Sequence, residues 1–254
     1  MAGRPWVLAE TSWGALRDTE YHLAALPWGA TEPHNHHLPY GTDVYESEAV
    51  VAEAARLAWE QGVHVLVLPC VPFGVNTQHL DLPGTVNMNP STQAAVLDDV
   101  IESVEAWNLD KMVLVNGHGG NDFRQMIREA QTRTEVFLSQ VHWFRIPGTL
   151  DGFDDPGDHA GEAETSLMMH LHPELVAPLD QAGDGAARTW RIQAIREGWA
   201  WAPRRWSAVT EDTGVGDPAP ATAEKGAAWM DTATRKLAEY FAQVAAADPD
   251  DLYG

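Results

Sequence analysis

Basic residues are scarce in this chain. Lys111, Lys225 and Lys236 are its three lysines, and 16 Lys and Arg face 37 Asp and Glu for a formal net charge of -21. A nucleic-acid or anionic-membrane partner needs a basic face, so neither is expected. Cysteine is scarcer still: Cys70 stands alone, which excludes an internal disulfide and is compatible with a reducing compartment. No apolar run reaches the roughly 18 residues of a membrane-spanning helix. The opening MAGRPWVLAETSWG has no apolar core of a secretory signal, so the expected address is the cytoplasm. Internal repeats, low-complexity linkers and a G-x-S-x-G elbow are also missing, and the last absence sets a serine hydrolase aside. The acids are spread along the chain, as on a soluble acidic surface or one adapted to high salt.

What is present is an ordinary globular composition, 44% hydrophobic and 9% aromatic over 254 residues. Residues 1–254 are expected to form one domain with a buried core. VYESEAVVAEAARLAWE, 44–60, places apolar residues at helical spacing, with Gly62 as a C-terminal cap. VHVLVLPCV follows as a strand buried on both faces. Pro90-Ser91-Thr92 opens a helix through about Trp107, and the strand KMVLVNG comes next. GGNDFRQMIREAQTRT then suggests a further helix, and EVFLSQVHWF a third strand. Alternating strands and helices predict an α/β fold, three-layer α/β/α around a mainly parallel sheet. Ligands in such folds sit outside the carboxyl ends of the strands.

Three polar stretches fall at predicted strand or helix edges. In EPHNHHLPYGTD, 32–43, Pro33 and Pro39 favour extended backbone, so Glu32 and His34 can project to one side. Asp43 can return a carboxylate after the Gly41-Thr42 turn; metal ligation and a hydrogen-bonded polar loop both fit this spacing. VLVNGHGGND places His118 at a strand end, with Asn116 and Asn121 around the same glycine turn. DHAGEAETSLMMHLHPELV, 158–176, sets Asp158, His159, Glu162 and Glu164 in a small-residue turn before a helix starting near Thr165. Acids there also serve as caps and dipole partners, and Met168, Met169 and Leu171 suit a core. His170 and His172 are expected on the surface or in packing.

Together the three stretches resemble the creatininase family, or creatinine amidohydrolases. Its members show P-x-G-S-x-E-Q-H-G-x-H-L-P-x-G-T-D, N-G-H-G-G-N and H-A-G-x-x-E-T-S. Here the corresponding residues are 27–43, 116–121 and 159–166, with Leu82-Pro83-Gly84-Thr85 similar to an F-P-G-T element and 213–226 similar to a C-terminal signature. The resemblance implies a metal-dependent hydrolase of non-peptide C–N bonds, often hexameric. It makes Glu32, His34, Asp43 and His118 metal ligands, Asp43 bridging two divalent ions, with Glu164 completing the set. Zn is the first expectation, with Mn or Fe as alternatives, because mixed oxygen and imidazole donors accept all three. Creatininase proper has a glutamate where this chain has Gly120, and Pro33, Asn35 and His36 also depart from the pattern.

Such ions acidify a bound water and polarise a small-molecule amide substrate. His159 is the expected proton donor to the leaving nitrogen, with Asp158 or Glu162 orienting it. His37, Thr85 and Asn121 are expected to contact substrate. A formamide hydrolase, a peptidase of a small modified peptide and a non-catalytic metal-binding assembly protein are the alternatives. Trp190, Trp201 and Trp206, with Arg204 and Arg205, occupy a segment suited to a lid over an anionic substrate or to an oligomer contact.

Overall fold

The computed structural model describes residues 3–254. Its centre is a parallel sheet of β1 (Leu23–Trp28), β2 (Val65–Val67), β3 (Lys111–Asn116) and β4 (Phe137–His142), in the order β2-β1-β3-β4. Alternation along these strands builds two cores. Leu23, Ala25, Val65, Val67, Val113 and Val115 face one side. Ala24, Leu26, Trp28, Leu66, Met112, Leu114 and Leu138 face the other. Both faces are therefore apolar, and helices cover each, giving the expected three layers.

The first face packs on α1 (Thr42–Glu60) through Val50, Val51, Ala54 and Ala58, and on the C-terminal helix. The second packs on α2 (Pro90–Ala106) through Leu97, Ile101 and Val104. Helix α1 ends as its sequence dictates: Gly62 has φ +82°, its N–H donates to the Trp59 carbonyl, and Val63 N–H donates to Ala58. This is the paired closure of a Schellman cap. Asn108, φ 59°, closes α2 with the same two bonds, to Glu105 and Val104.

Several elements differ from expectation. The helix after His118, α3, is confined to Arg124–Ala130, because residues 117–123 form the turn carrying His118. The next helix, α4, spans Glu162–Leu171, so Glu162 and Glu164 lie in its first turn and not before it. Strand β1 and α5 (Ala223–Ala246) have no counterpart among the elements assigned from sequence. Thr222 caps α5 by accepting the Lys225 N–H, and Trp229, Ala233, Leu237, Phe241 and Val244 form its buried stripe. In β1, Pro27 sits beside the already ended β2: its carbonyl accepts Val71 N–H, so its missing N–H interrupts no ladder there. No described helix is long and apolar enough to cross a membrane.

Candidate metal centre

The sheet order reverses direction between β1 and β3, and the crevice at their carboxyl ends is where such sheets bind ligands. Three elements meet there. The chain leaving β1 brings Glu32 and His34, the turn after β3 brings His118, and the first turn of α1 brings Asp43, whose charge suits a helix N-terminus. The segment entering α4 adds His159, and the first turn of α4 adds Glu164. All but the half-buried Glu164 are withdrawn from solvent.

Three triads of possible ligand atoms fall within 4.8 Å: Glu32, His34 and His159; Glu32, Asp43 and His118; His34, Asp43 and Glu164. All five ligand residues expected from sequence are thus brought together, with His159 among them. Gly120 cannot supply the glutamate of creatininase proper. A Cβ there would stand 2.4 Å from both His118 Nε2 and the Val75 carbonyl oxygen. Glu164 instead brings a carboxylate to the third triad.

The imidazoles show what the cluster is built to hold. His34 Nδ1–H donates to its neighbour Glu32's carbonyl (3.0 Å), His118 Nε2–H to Val75 (3.1 Å) and His159 Nε2–H to Pro33 (2.8 Å). In each neutral ring the other nitrogen is then an acceptor. Those nitrogens face acceptors: His34 Nε2 lies 3.1 Å from Asp43 Oδ1, and His118 Nδ1 lies 3.1 Å from both Glu32 Oε1 and Asp43 Oδ2. His159 Nδ1 is 3.6 Å from Glu32 Oε1. Asp43 Oδ2 is buried with no hydrogen-bond donor. Acceptors turned on acceptors require a proton on each ring or a cation between them. An outward N–H fixed on a backbone carbonyl is the arrangement of metal-ligating histidine, so the donor set fits divalent ions.

The charges respond to this crowding. Burial opposes ionisation of Glu32, yet the facing His118 and His159 and the hydrogen bonds of His118 and His79 hold it well below the usual carboxylate range. Asp43 is likewise lowered, burial being outweighed by His34 and His118. His34, against burial, is raised to about 9 by Asp43, Glu164 and Glu32. Burial pushes Glu164 up to about 7. Glu46, buried one turn beyond Asp43 on α1, is raised well above its ordinary value by burial and by Glu164 and Asp43.

The other residues singled out in the sequence sit in distinct surroundings. Burial and the charge of His34 press His159 down to about 4, so near neutrality its Nδ1 is an acceptor facing the cluster, which must take a proton before it can give one. Asp158 turns outward to Arg204 (2.7 Å). Glu162 does not orient His159: its oxygens take Lys225 Nζ and Asp155 N–H, clamping α4 to α5. Asn121 is held within the protein: Oδ1 accepts from Val75 N–H and Gln93 while Nδ2 donates to Asn116, bracing the His118 turn. His37 is buried against Thr165 (2.9 Å), and His36 is exposed. Thr85 keeps a buried hydroxyl without a partner, beside Val86, which pairs with Thr31.

Asn35, Ala160 and Thr213 adopt positive φ around the same site (54°, 50° and 70°). Asn35 is secured there by Thr213 and Gly183. Trp206 lies edge-on to His79 (4.4 Å) and His159 (5.3 Å), with the Arg204 guanidinium over its ring. His79 was missed from sequence, although it stands three residues before the Leu82-Pro83-Gly84-Thr85 element.

This architecture defines a buried carboxylate and imidazole centre at the mouth of a parallel α/β/α sheet. The sequence profile of the creatininase family, creatinine amidohydrolase, matches residues 9–241, and the chain belongs to that family of hydrolases. A Bacteroides fragilis protein provisionally named a creatinine amidohydrolase has the same fold at 40% identity and TM-score 0.92, with 99% of each chain covered. The mycofactocin precursor peptide peptidase of Mycobacterium tuberculosis is 31% identical over 235 residues, 86% of this chain and 85% of that one. The creatinine amidohydrolase of Pseudomonas putida is 28% identical over 187 residues, 65% of this chain and 70% of that one.

Proposed function

We propose that this protein, as one domain, is an amidohydrolase that uses two divalent metal ions to cleave a non-peptide C–N amide bond of a small molecule. The observation that supports this most directly is the convergence of three imidazole acceptors, each tied to a backbone carbonyl, on Glu32 and Asp43. Glu32, Asp43 and His118 would hold one ion, and His34, Asp43 and Glu164 the other, with Asp43 shared. Mixed nitrogen and oxygen donors suit Zn first and accommodate Mn or Fe.

Ions held there supply Lewis acidity to the amide carbonyl and to a water nucleophile. His159 Nδ1, an acceptor facing the cluster, takes the proton released by the attacking water and returns it to the leaving nitrogen. The Pro33 carbonyl keeps this ring in the required tautomer. Thr85 has a free hydroxyl for a substrate polar group, and Trp206 walls the cluster from outside. A homo-oligomer, hexameric by family resemblance, belongs to the same proposal; Trp199 and Trp201, 75% and 84% exposed, supply apolar surface for it.

A second reading, cleavage of a small modified peptide, is supported by the Mycobacterium relative. Elemental analysis of wild type and Asp43→Ala, purified without added metal, tests the common basis of both. About two ions per wild-type chain and their loss from the variant are expected. A wild type that takes up no metal after reconstitution would sink the proposal. Small cyclic and linear amides and short peptides then separate the two readings by which is hydrolysed.

A further inference from the structure

Among the described residues, His79 touches the cluster through Glu32 without belonging to any of the three ligand triads. It comes from the loop after β2, and its Nδ1 lies 2.6 Å from Glu32 Oε2, both side chains being almost wholly buried. An ionised carboxylate only accepts, so Nδ1–H donates, in a short charge-assisted bond. The ring has little freedom to move. His79 N–H donates to Asn76, whose own side chain donates to the carbonyls of Thr31 and Val86. Thr31 immediately precedes Glu32. Trp206 closes the other side of the ring at 4.4 Å and 88°.

This contact makes the two oxygens of Glu32 unequal. Oε2 is held by His79, while Oε1 alone faces His118 Nδ1 at 3.1 Å and His159 Nδ1 at 3.6 Å. We propose that His79 is a positioning residue that fixes the Glu32 carboxylate so that Oε1 is presented to a metal ion and Oε2 is withheld. This rests on the metal-centre reading, and adds that cation affinity depends on a buried side chain that is not itself a ligand. Hydrogen-bond partners behind ligands typically change metal affinity about 10–100-fold when removed.

Two substitutions separate the hydrogen bond from the packing. His79→Phe keeps a ring against Trp206 and removes the donor; His79→Asn keeps an N–H near the place of Nδ1 and removes the ring. Zn²⁺ affinity of the metal-free proteins is measured by competition with a chromophoric chelator, alongside thermal unfolding without metal. The expected result is weakening of about 10–100-fold for His79→Phe and a much smaller change for His79→Asn. Wild-type affinity in His79→Phe, or a larger loss in His79→Asn than in His79→Phe, overturns the proposal. Should His79→Phe fail to fold, His79→Asn still decides: retained affinity supports the donor role and a tenfold or greater loss refutes it. A wild type with no Zn²⁺ affinity refutes the metal-centre reading itself, so the two failures are distinguishable.

Discussion

At the scale of single residues, burial decides protonation, and His37 shows it outside the cluster. It stands between the exposed His36 and the buried Leu38 and donates or accepts at Thr165. Burial, reinforced by the charges of His34 and His36, pushes it down to about 4. An unfolded histidine titrates near 6.5. Between these values the unfolded chain binds a proton that the folded chain refuses, so stability falls as pH drops through this window and is unaffected above it. Each pH unit there costs up to about 1.4 kcal/mol per such histidine. Urea unfolding of metal-free protein at several pH values from 7.5 to 4.5 should show a shallower decline for His37→Gln than for wild type. Parallel declines would mean that His37 is not held neutral by the fold.

The elements explain why these residues meet. In the turn between β3 and α3, His118 is followed by two glycines of different character. Gly120 lies under the ring, where a Cβ would collide with His118 Nε2 and the Val75 oxygen, whereas Gly119 has nothing within 4 Å. Gly120→Ala should therefore break the His118 to Val75 bond and weaken metal affinity about 10–100-fold, the loss expected for a supporting contact, so that less metal is retained in elemental analysis after dialysis against a chelator. Gly119→Ala should leave metal content and melting temperature unchanged. Equal metal content in both variants would show that the ring tolerates displacement.

Much of this layout was legible from the sequence. Val65–Val67, α2 and β3 were visible as a β-branched run, a proline-led helix and an apolar strand ending in Asn116. Strand β1 was hidden because Ala24, Ala25 and Pro27 have weak strand preference, and only its central place in the sheet buries it. Of the candidate ligands, Glu32, His34 and His118 stand beside proline or glycine and Asp43 follows the Gly41-Thr42 turn, whereas Glu164, inside a helix, was singled out only through the family resemblance. His79 was not legible, since nothing local marks its pairing with Glu32, a residue 47 positions away. The roles of Glu162 and Asn121 likewise depended on Lys225 and Gln93, distant partners that sequence spacing does not reveal.

For the whole molecule, the governing imbalance is charge. Surface pairs such as Arg56 with Glu53 and Glu60, and Arg133 with Asp98 and Glu129, neutralise only some of the 37 acids. Exposed pairs of this kind contribute about 0–1 kcal/mol each and weaken as salt rises. The unpaired carboxylates repel one another in the compact state, and added salt screens that repulsion too, the Debye length shrinking from about 10 Å at 0.1 M to about 3 Å at 1 M. With a net charge of -21, the second effect should dominate. Metal-free protein should melt higher in 1 M than in 0.05 M NaCl, by roughly 2–8 °C if the gain is about 1–2 kcal/mol. Sodium chloride is the appropriate salt, because sulfate would also strengthen apolar burial. A melting temperature highest at the lowest salt would show that the ion pairs outweigh the repulsion, and that the acidic surface is not an adaptation to a saline environment.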